Sequence, residues 1–302
     1  MKQKFSVLKH TKIFAIISTV CIITGLVSLI LLPFGKNLFT LDLDFAGGTS
    51  MQFEMNQKVT ADIDDQVSAL FKKATGRKPS SVQATGDKGT QVVIKSVDID
   101  TTQRSAVIDA MQKKYNLTDD DVLSVENESA SVGKDMQEAA VVASLLAVVL
   151  MLVYITIRFE FTSGLAAVTC LVHDLLVMLS VYVIFRIPLN TNFIAAALTI
   201  LGYSINASII VFDRVRENRK KARRESFADI CEKGIWQTIP RSINTTITTF
   251  IMVALLFAFG VDSIRNFTLP IMVGLISGAY SSIFLAAPLW NFYRKVFHKK
   301  KA

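Results

Sequence analysis

Residues 13–34 read IFAIISTVCIITGLVSLILLPF, an uncharged apolar run of the length that one helix needs to cross a bilayer. A hydrocarbon core about 30 Å thick requires about 20 such residues. Lysines at positions 2, 4, 9 and 12 precede the run, as in a secretory signal, but the run is too long for one and no small-residue cleavage site follows. We therefore predict a retained first transmembrane helix.

Five more apolar runs of transmembrane length follow along the chain. Only 19% of the residues are charged and the mean hydropathy is +0.42, which is unusual for a soluble domain of this size. The sequence therefore predicts an α-helical polytopic membrane protein with six transmembrane helices, the last five at 137–157, 163–185, 191–212, 242–260 and 267–290.

The basic residues indicate which ends of these helices face the cytoplasm. They concentrate in the N-terminal segment 1–12, in the loop 213–241 after the fourth span and in the tail 291–302, whereas the opposite short loops contain only Arg186 and Arg265. By the positive-inside rule both termini are cytoplasmic. The net charge of +8 then reflects topology, and we expect anionic lipid rather than nucleic acid beside the basic loop.

The polar segment 35–136 between the first two spans is predicted to fold outside the cytoplasm. Its 36–135 part contains 12 Lys and Arg against 16 Asp and Glu, so the excess positive charge lies elsewhere. Alternating and helical periodicities succeed one another in the order of a ferredoxin-like β-α-β-β-α-β domain, at 49–55, 61–74, 81–84, 91–96, 106–115 and 122–125, with a hairpin turn at 86–89.

This α+β domain contains no histidine, no cysteine and no nucleophile–base pair. We predict no catalytic residue, metal site or cofactor in the chain, and we interpret the domain as a binding or lever module, with a structural cap as the alternative. Gly47 and Gly48 precede Thr49 at its first strand, and a turn that requires unusual backbone angles is the simplest interpretation.

Asp174, near the middle of the third span, is the principal candidate functional residue. A carboxylate at that depth costs roughly 2.5–3.5 kcal/mol, so such residues usually face the protein interior and perform a function. Low-dielectric surroundings disfavour the charged form, as a proton-relay group requires. The alternative is a permanently neutral Asp174 that holds helices together, and the adjacent His173 is equally consistent with a plain interhelical hydrogen bond.

The fourth span carries a polar stripe, because Thr199, Tyr203 and Asn206 share one helix face. Asp213 extends that face to the cytoplasmic end, where pairing with a neighbouring arginine is the simpler interpretation. Gly202 and Ser204 are small and suit close helix packing.

The last two spans add an arginine and a packing motif. Arg241 at the entrance of the fifth span either extends to the headgroups or reaches inward to a carboxylate such as Asp174. Gly274 and Gly278 in the sixth form a GxxxG helix-contact motif.

Several of these motifs together resemble the SecF family of the bacterial Sec protein-export machinery, within the RND superfamily. The resemblance covers essentially the whole chain and is most specific in the fourth span. It rests on DFAGGT at 44–49, HD at 173–174, GYSINASIIVFDRVREN at 202–218, QTIPRSINTT at 237–246 and YSS at 280–282.

The resemblance implies a multi-pass protein of the bacterial plasma membrane that pairs with SecD and docks on the SecYEG channel, with a YajC-like accessory protein as a further partner. Such a pair uses the transmembrane ion gradient to draw an unfolded, translocating polypeptide outward. An autonomous RND-type exporter half and a passive anchor are the alternatives. Since exporters of that type usually need two six-span halves, co-purifying partners would discriminate.

One departure concerns the ion chemistry that the resemblance implies. Many family members have an aspartate directly after the asparagine of the fourth-span block, thought to carry protons with the fifth-span arginine, but this chain has Ala207 there. Asn206 and Arg241 are retained. The acid would then come from Asp174 or from SecD, and the coupling ion could be a proton or sodium.

Overall fold

The computed structural model describes residues 5–34, 38–86, 89–222, 224–260 and 262–299. Six helices in these ranges are long and apolar enough to cross a membrane, which confirms the predicted number of spans. They are α1 (Thr11–Leu31), α5 (Ala130–Arg158), α6 (Phe161–Ile184), α7 (Thr191–Lys221), α8 (Phe227–Phe259) and α9 (Asp262–Phe284).

The helices extend beyond the apolar runs at the basic end of the bundle. Most of the segment 213–241, predicted as a loop, is helical, since α7 continues to Lys221 and α8 begins at Phe227. Hydropathy marks where a helix leaves the apolar layer, not where its hydrogen bonding stops. The three basic residues in the last turn of α7 favour continuation, because cations stabilise a helix C-terminus.

The predicted last span, 267–290, is divided between two helices. α9 begins earlier, at Asp262, and ends at Phe284, and a separate amphipathic helix, α10 (Ala286–Lys299), takes in most of the predicted tail. Pro288 explains the division, because proline fits the first turn of a new helix but would break the interior of a continuous one.

The domain between α1 and α5 is an antiparallel sheet with the strand order β2-β3-β1-β4, covered by two helices. This is the ferredoxin-like arrangement predicted from the sequence. Its elements are β1 (Gly48–Glu54), α3 (Ala61–Thr75), β2 (Ser81–Thr85), β3 (Gln91–Ser96), α4 (Thr101–Tyr115) and β4 (Val122–Glu128). Met51, Phe53, Phe71, Ile94 and Met111 form its fully buried core. The predicted 86–89 turn includes residues 87–88, which lie outside the described ranges.

A short helix, α2 (Leu43–Ala46), fastens this domain to the helix bundle. Just before α2, Leu41 pairs with Leu189 in the connection between α6 and α7. The Asp44 carboxylate then accepts hydrogen bonds from the backbone N–H and the hydroxyl of Thr191, at 2.9 and 2.5 Å. The domain is therefore tied directly to the start of α7.

The two glycines before β1 are required by the backbone. Gly47 and Gly48 have φ values of 70° and 136°, which side-chain-bearing residues rarely adopt. A Cβ at Gly48 would also lie 2.3 Å from the Ser96 carbonyl oxygen in β3. The Thr49 hydroxyl donates to the Asn127 side chain at 2.5 Å, which joins β1 to β4.

At the opposite end of the bundle the N-terminal segment is anchored to α8. The buried Glu232 carboxylate accepts hydrogen bonds from the backbone N–H groups of Val7 and Leu8, both at 2.9 Å, and from the Ser6 hydroxyl at 3.0 Å. The Trp236 indole N–H donates to the same carboxylate at 2.9 Å. This anchor fixes the first turn of α1 against α8.

Candidate functional site

Asp174 lies in the interior of the helix bundle, where its carboxylate is held by three serine hydroxyls. Its side chain is 1% exposed. Ser204 of α7 donates to Oδ2 at 2.6 Å, and Ser281 of α9 donates to the same oxygen at 2.8 Å. Ser277, one turn earlier on α9, donates to Oδ1 at 2.6 Å. Three helices thus meet at one buried carboxylate.

His173 completes the contacts of this carboxylate. Its Nδ1 lies 3.0 Å from Asp174 Oδ1, and its ring stacks on Tyr280 with the centroids 6.0 Å apart. The Tyr280 hydroxyl donates to the Phe14 carbonyl oxygen of α1 at 2.7 Å. The other ring nitrogen, Nε2, is buried and has no hydrogen-bond partner within the described residues.

The geometry favours an ionised carboxylate next to an imidazole. Hydrogen bonds donated to a carboxylate stabilise its charged form, whereas burial opposes that form. No Lys or Arg in the described ranges forms an ion pair with Asp174, so a proton on His173 is the one compensating charge that this site can acquire from its own side chains. The pair is neutral with that proton and carries one negative charge without it.

A cavity of about 370 Å³ adjoins His173 between α1, α6 and α9. Its walls are mostly aliphatic, and the polar groups that line it belong to Cys21, His173, Ser277 and Tyr280. The histidine therefore lies between this cavity and the Asp174 carboxylate.

The serines that hold Asp174 were not predicted as its partners. Ser204 was predicted only as a packing residue, and Ser277 and Ser281 were not assigned a role. The available signal is their spacing, because serines four residues apart share one face of α9. Nothing in the sequence indicates that this face meets α6.

The GxxxG motif explains how the serines come so close. Gly274 and Gly278 face α7, where an added Cβ would lie 2.5 Å from the Ile200 side chain and 3.2 Å from the Ser204 Cβ, respectively. Close approach of α7 and α9 therefore places Ser204 opposite Ser281. Gly202, also predicted to suit close packing, is instead exposed, and nothing lies within 4 Å of an added Cβ.

The fourth-span stripe lies away from Asp174 and faces outward. Thr199 and Asn206 are exposed, and the half-buried Tyr203 donates to the Thr246 hydroxyl of α8 at 3.4 Å. Asp174 bonds to Ser204 instead, one residue beyond Tyr203. Ala207, at the position of the family's aspartate, is buried.

Arg241 and Asp213 are also separate from the Asp174 site. Arg241 is exposed on the outer side of α8, so the structure does not bring it to Asp174. Asp213 is half-buried towards the basic end of α7 and forms no ion pair among the described residues, because Arg214 pairs with Glu217. The predicted candidates thus divide into a buried pair, His173 and Asp174, and an outward set.

Comparison with known proteins identifies a consistent set of relatives. The family described as "Protein export membrane protein SecD/SecF, C-terminal" matches residues 107–296. The protein translocase subunit SecF of Acidaminococcus fermentans is 39% identical, over 97% of this chain and 98% of that protein. The protein translocase subunit SecDF of Bacillus subtilis is 36% identical over 95% of this chain, which spans 38% of that longer protein.

The fold is similar to that of a solved relative. The crystal structure of SecDF from Thermus thermophilus, described as a translocon-associated membrane protein, superposes with a TM-score of 0.80 at 26% identity. The match covers 97% of this chain and 39% of that one. The chain thus corresponds to nearly the full length of the SecF relative and to about two fifths of each SecDF protein.

Proposed function

The chain belongs to the SecD/SecF family of protein export membrane proteins, and on that premise we propose that it is a non-catalytic accessory subunit of the Sec protein translocase whose Asp174–His173 pair carries the coupling proton. The observation that supports this most strongly is the buried carboxylate with four hydrogen-bonding neighbours, next to a histidine nitrogen without a partner. Intramembrane carboxylate–histidine chains of this kind are typical of proton relays.

The hydrogen bonds favour a proton over sodium as the coupling ion. The hydroxyls of Ser204, Ser277 and Ser281 lie 2.6 to 2.8 Å from the Asp174 oxygens and donate to them. A sodium ion would need those same oxygen atoms as ligands, and binding it would break the hydrogen bonds. A proton needs only His173 Nε2, and histidine is the side chain that titrates near physiological pH.

Protonation changes the charge at the point where three helices meet. The neutral pair suits a dry interior, whereas the negative pair draws in donors or water, so the two states favour different packing of α6, α7 and α9. The α6–α7 connection holds the outer domain through Leu189 and Thr191. Helix movement driven by the ion gradient would therefore reach the domain at 35–136, which we propose contacts the unfolded polypeptide during late export.

The outward polar set supports SecD as the partner. The exposed side chains in the middle of α5 are apolar, as expected for a lipid-facing helix, and they include Val141, Leu145, Leu150 and Val153. The adjoining outer faces of α7 and α8 instead expose polar side chains, namely Thr199, Asn206, Arg241, Thr245 and Thr248. Polar side chains in lipid are costly, so this surface suits a protein partner. The longer relatives carry both names, SecD and SecF, in one chain.

The remaining partners and the orientation follow from the same premise. We propose that the chain with SecD docks on SecYEG, that a YajC-like protein accompanies them, and that both termini face the cytoplasm of the bacterial plasma membrane. The basic ends of α5, α7 and α10 lie together at the end where Glu232 anchors the N-terminal segment, which supports this orientation.

The test is purification followed by an export assay. The tagged chain is co-expressed with the SecD and SecYEG of the same organism, purified, and reconstituted in vesicles in which a secretory protein has been partly inserted by ATP hydrolysis. We expect SecD and SecYEG in the purified complex and a further, proton-gradient-dependent advance of the polypeptide. A self-sufficient oligomer that transports small solutes would favour the exporter alternative.

A further inference from the structure

We infer that the basic end of the bundle contains a binding site for the headgroup of an anionic phospholipid. A cavity of about 360 Å³ opens there between the α5–α6 turn, the end of α7 and the start of α10. It is lined by Phe159, Glu160, Arg216, Arg219, Lys220 and Trp290. None of these residues takes part in the Asp174 site or in the outward polar set.

The lining carries uncompensated positive charge. Three of the lining residues are basic and one is acidic, so their formal net charge is 3 − 1 = +2. Glu160 is already paired with Arg219 and does not repel an anion strongly. Arg216 uses one N–H weakly, 3.4 Å from the Arg158 carbonyl oxygen, and Lys220 forms no ion pair in the described part of the chain.

The two cations converge on one face of α7. Arg216 and Lys220 are four residues apart, so their side chains are neighbours on the helix surface. The planar guanidinium binds two phosphate oxygens side by side, and the ammonium adds a compact charge. Together they suit a phosphodiester group.

The floor of the cavity is aromatic. Trp290 is 2% exposed, and its ring contacts Phe212 with the centroids 5.2 Å apart. Phe159 packs against the same Phe212 ring at 6.4 Å. A polar phosphate compound gains little from such a floor, whereas the glycerol and upper acyl chain of a lipid can pack on it.

The position along the helices matches the headgroup layer. α5 ends at Arg158 and α6 begins at Phe161, so the cavity lies where two spans leave the apolar layer. Basic pockets between helices at this level bind anionic headgroups, and tryptophan is enriched there. The site therefore suits an anionic phospholipid held at a fixed position, beyond the general attraction of the basic loop.

Trp290 makes the site measurable in the full-length chain. Only one other tryptophan, Trp236, is present, so Trp236→Phe leaves Trp290 as the single fluorophore. The protein is reconstituted in phosphatidylcholine vesicles that contain increasing fractions of brominated phosphatidylglycerol or brominated phosphatidylcholine, whose bromines quench a neighbouring indole. We expect phosphatidylglycerol to quench at several-fold lower mole fraction than phosphatidylcholine.

Matched variants separate a defined site from diffuse attraction. Arg216→Gln with Lys220→Gln should lower the preference for phosphatidylglycerol by at least about fivefold, since each juxtamembrane charge contributes about that factor. Lys221→Gln with Arg224→Gln removes the same charge from exposed neighbours outside the cavity and should leave the preference unchanged. Equal quenching by the two lipids, or equal losses in both variants, would overturn the inference.

A third comparison distinguishes lipid from soluble phosphate. Glycerol phosphate added in large excess should leave the lipid preference intact, because it lacks the acyl chain that the aromatic floor binds. If it abolishes the preference, the occupant is a water-soluble phosphate compound and the lipid assignment is wrong. Circular dichroism and thermal unfolding of each variant confirm that the bundle is folded.

Discussion

At Asp174, three serine hydroxyls determine which protonation state is favoured. Each hydroxyl that donates to the carboxylate stabilises the charged form, so the cage counteracts the effect of burial. Ser281 and Ser282 are adjacent on α9 and both are buried, but only Ser281 contacts the carboxylate. The Ser282 hydroxyl donates to the Ala279 carbonyl oxygen of its own helix. The chain therefore contains its own control for a substitution in the cage.

Ser281→Ala should move the pH dependence of gradient-driven export to higher pH. Losing a donor to the charged form makes the Asp174–His173 pair hold its proton more tightly, and a hydrogen bond to a charged group is typically worth about one pH unit or more. Measuring export stimulation as a function of pH tests this. Ser282→Ala should leave the profile in place, and an identical shift in both variants would contradict the role of the cage.

Asp174 could be identified from the sequence because a lone carboxylate in an apolar run is costly wherever the helix lies. Its partners could not, since Ser204, Ser277 and Ser281 are ordinary residues of transmembrane helices until the helix packing is known. The same limit explains Arg241. Its charge and position were consistent with an inward reach, but the rotation of α8 in the bundle, which one sequence does not encode locally, places it outside.

Among the helices, the contact of α9 with α7 builds the site. Gly274 allows α9 to approach the Ile200 side chain, where an added Cβ would lie at 2.5 Å. Such a distance forces a neighbour to move, and overpacking of this kind typically costs 1–3 kcal/mol.

Gly274→Leu should lower the thermal stability of the isolated chain in detergent and separate Ser277 from Asp174. Gly202→Leu is the matched control, because Gly202 is exposed on α7 and an added Cβ meets nothing within 4 Å. We expect a clear drop in melting temperature for the first and little change for the second. Similar melting temperatures for both variants would show that the α7–α9 contact is not close.

Element types were predictable from the sequence more reliably than element ends. Apolar runs located all six spans, and periodicity gave the order of strands and helices in the outer domain, because each signal reflects a face that must be buried. The extension of α7 to Lys221 and the break before α10 were missed. Both depend on local helix chemistry, the basic last turn of α7 and Pro288, rather than on hydropathy.

Over the whole molecule, the two ends of the bundle differ in how they are tied together. At one end Asp44 joins the outer domain to Thr191, and Gln137 of α5 donates to the Phe45 carbonyl oxygen at 2.7 Å. At the other end Glu232 holds the N-terminal segment. A signal that starts at Asp174 can therefore reach the outer domain through the α6–α7 connection.

Cysteine labelling tests the orientation that this account requires. In a variant without Cys21, Cys170 and Cys231, a single cysteine is introduced at Lys73, on the exposed side of α3, or at Arg224, after α7. An impermeant reagent added to whole cells should label the first and not the second. The reverse pattern would place the outer domain in the cytoplasm and contradict the proposed topology.

The measurement that tests the central claim most directly is gradient-dependent export by Asp174→Asn. Asparagine keeps the shape and hydrogen bonding of the side chain but cannot exchange a proton. The variant should assemble with SecD and retain ATP-driven insertion, yet lose the stimulation that the proton gradient gives to the wild type. Asp213→Asn, the same change at the half-buried basic end of α7, should keep that stimulation. Full wild-type stimulation in Asp174→Asn would contradict the account and assign the proton transfer to the partner subunit.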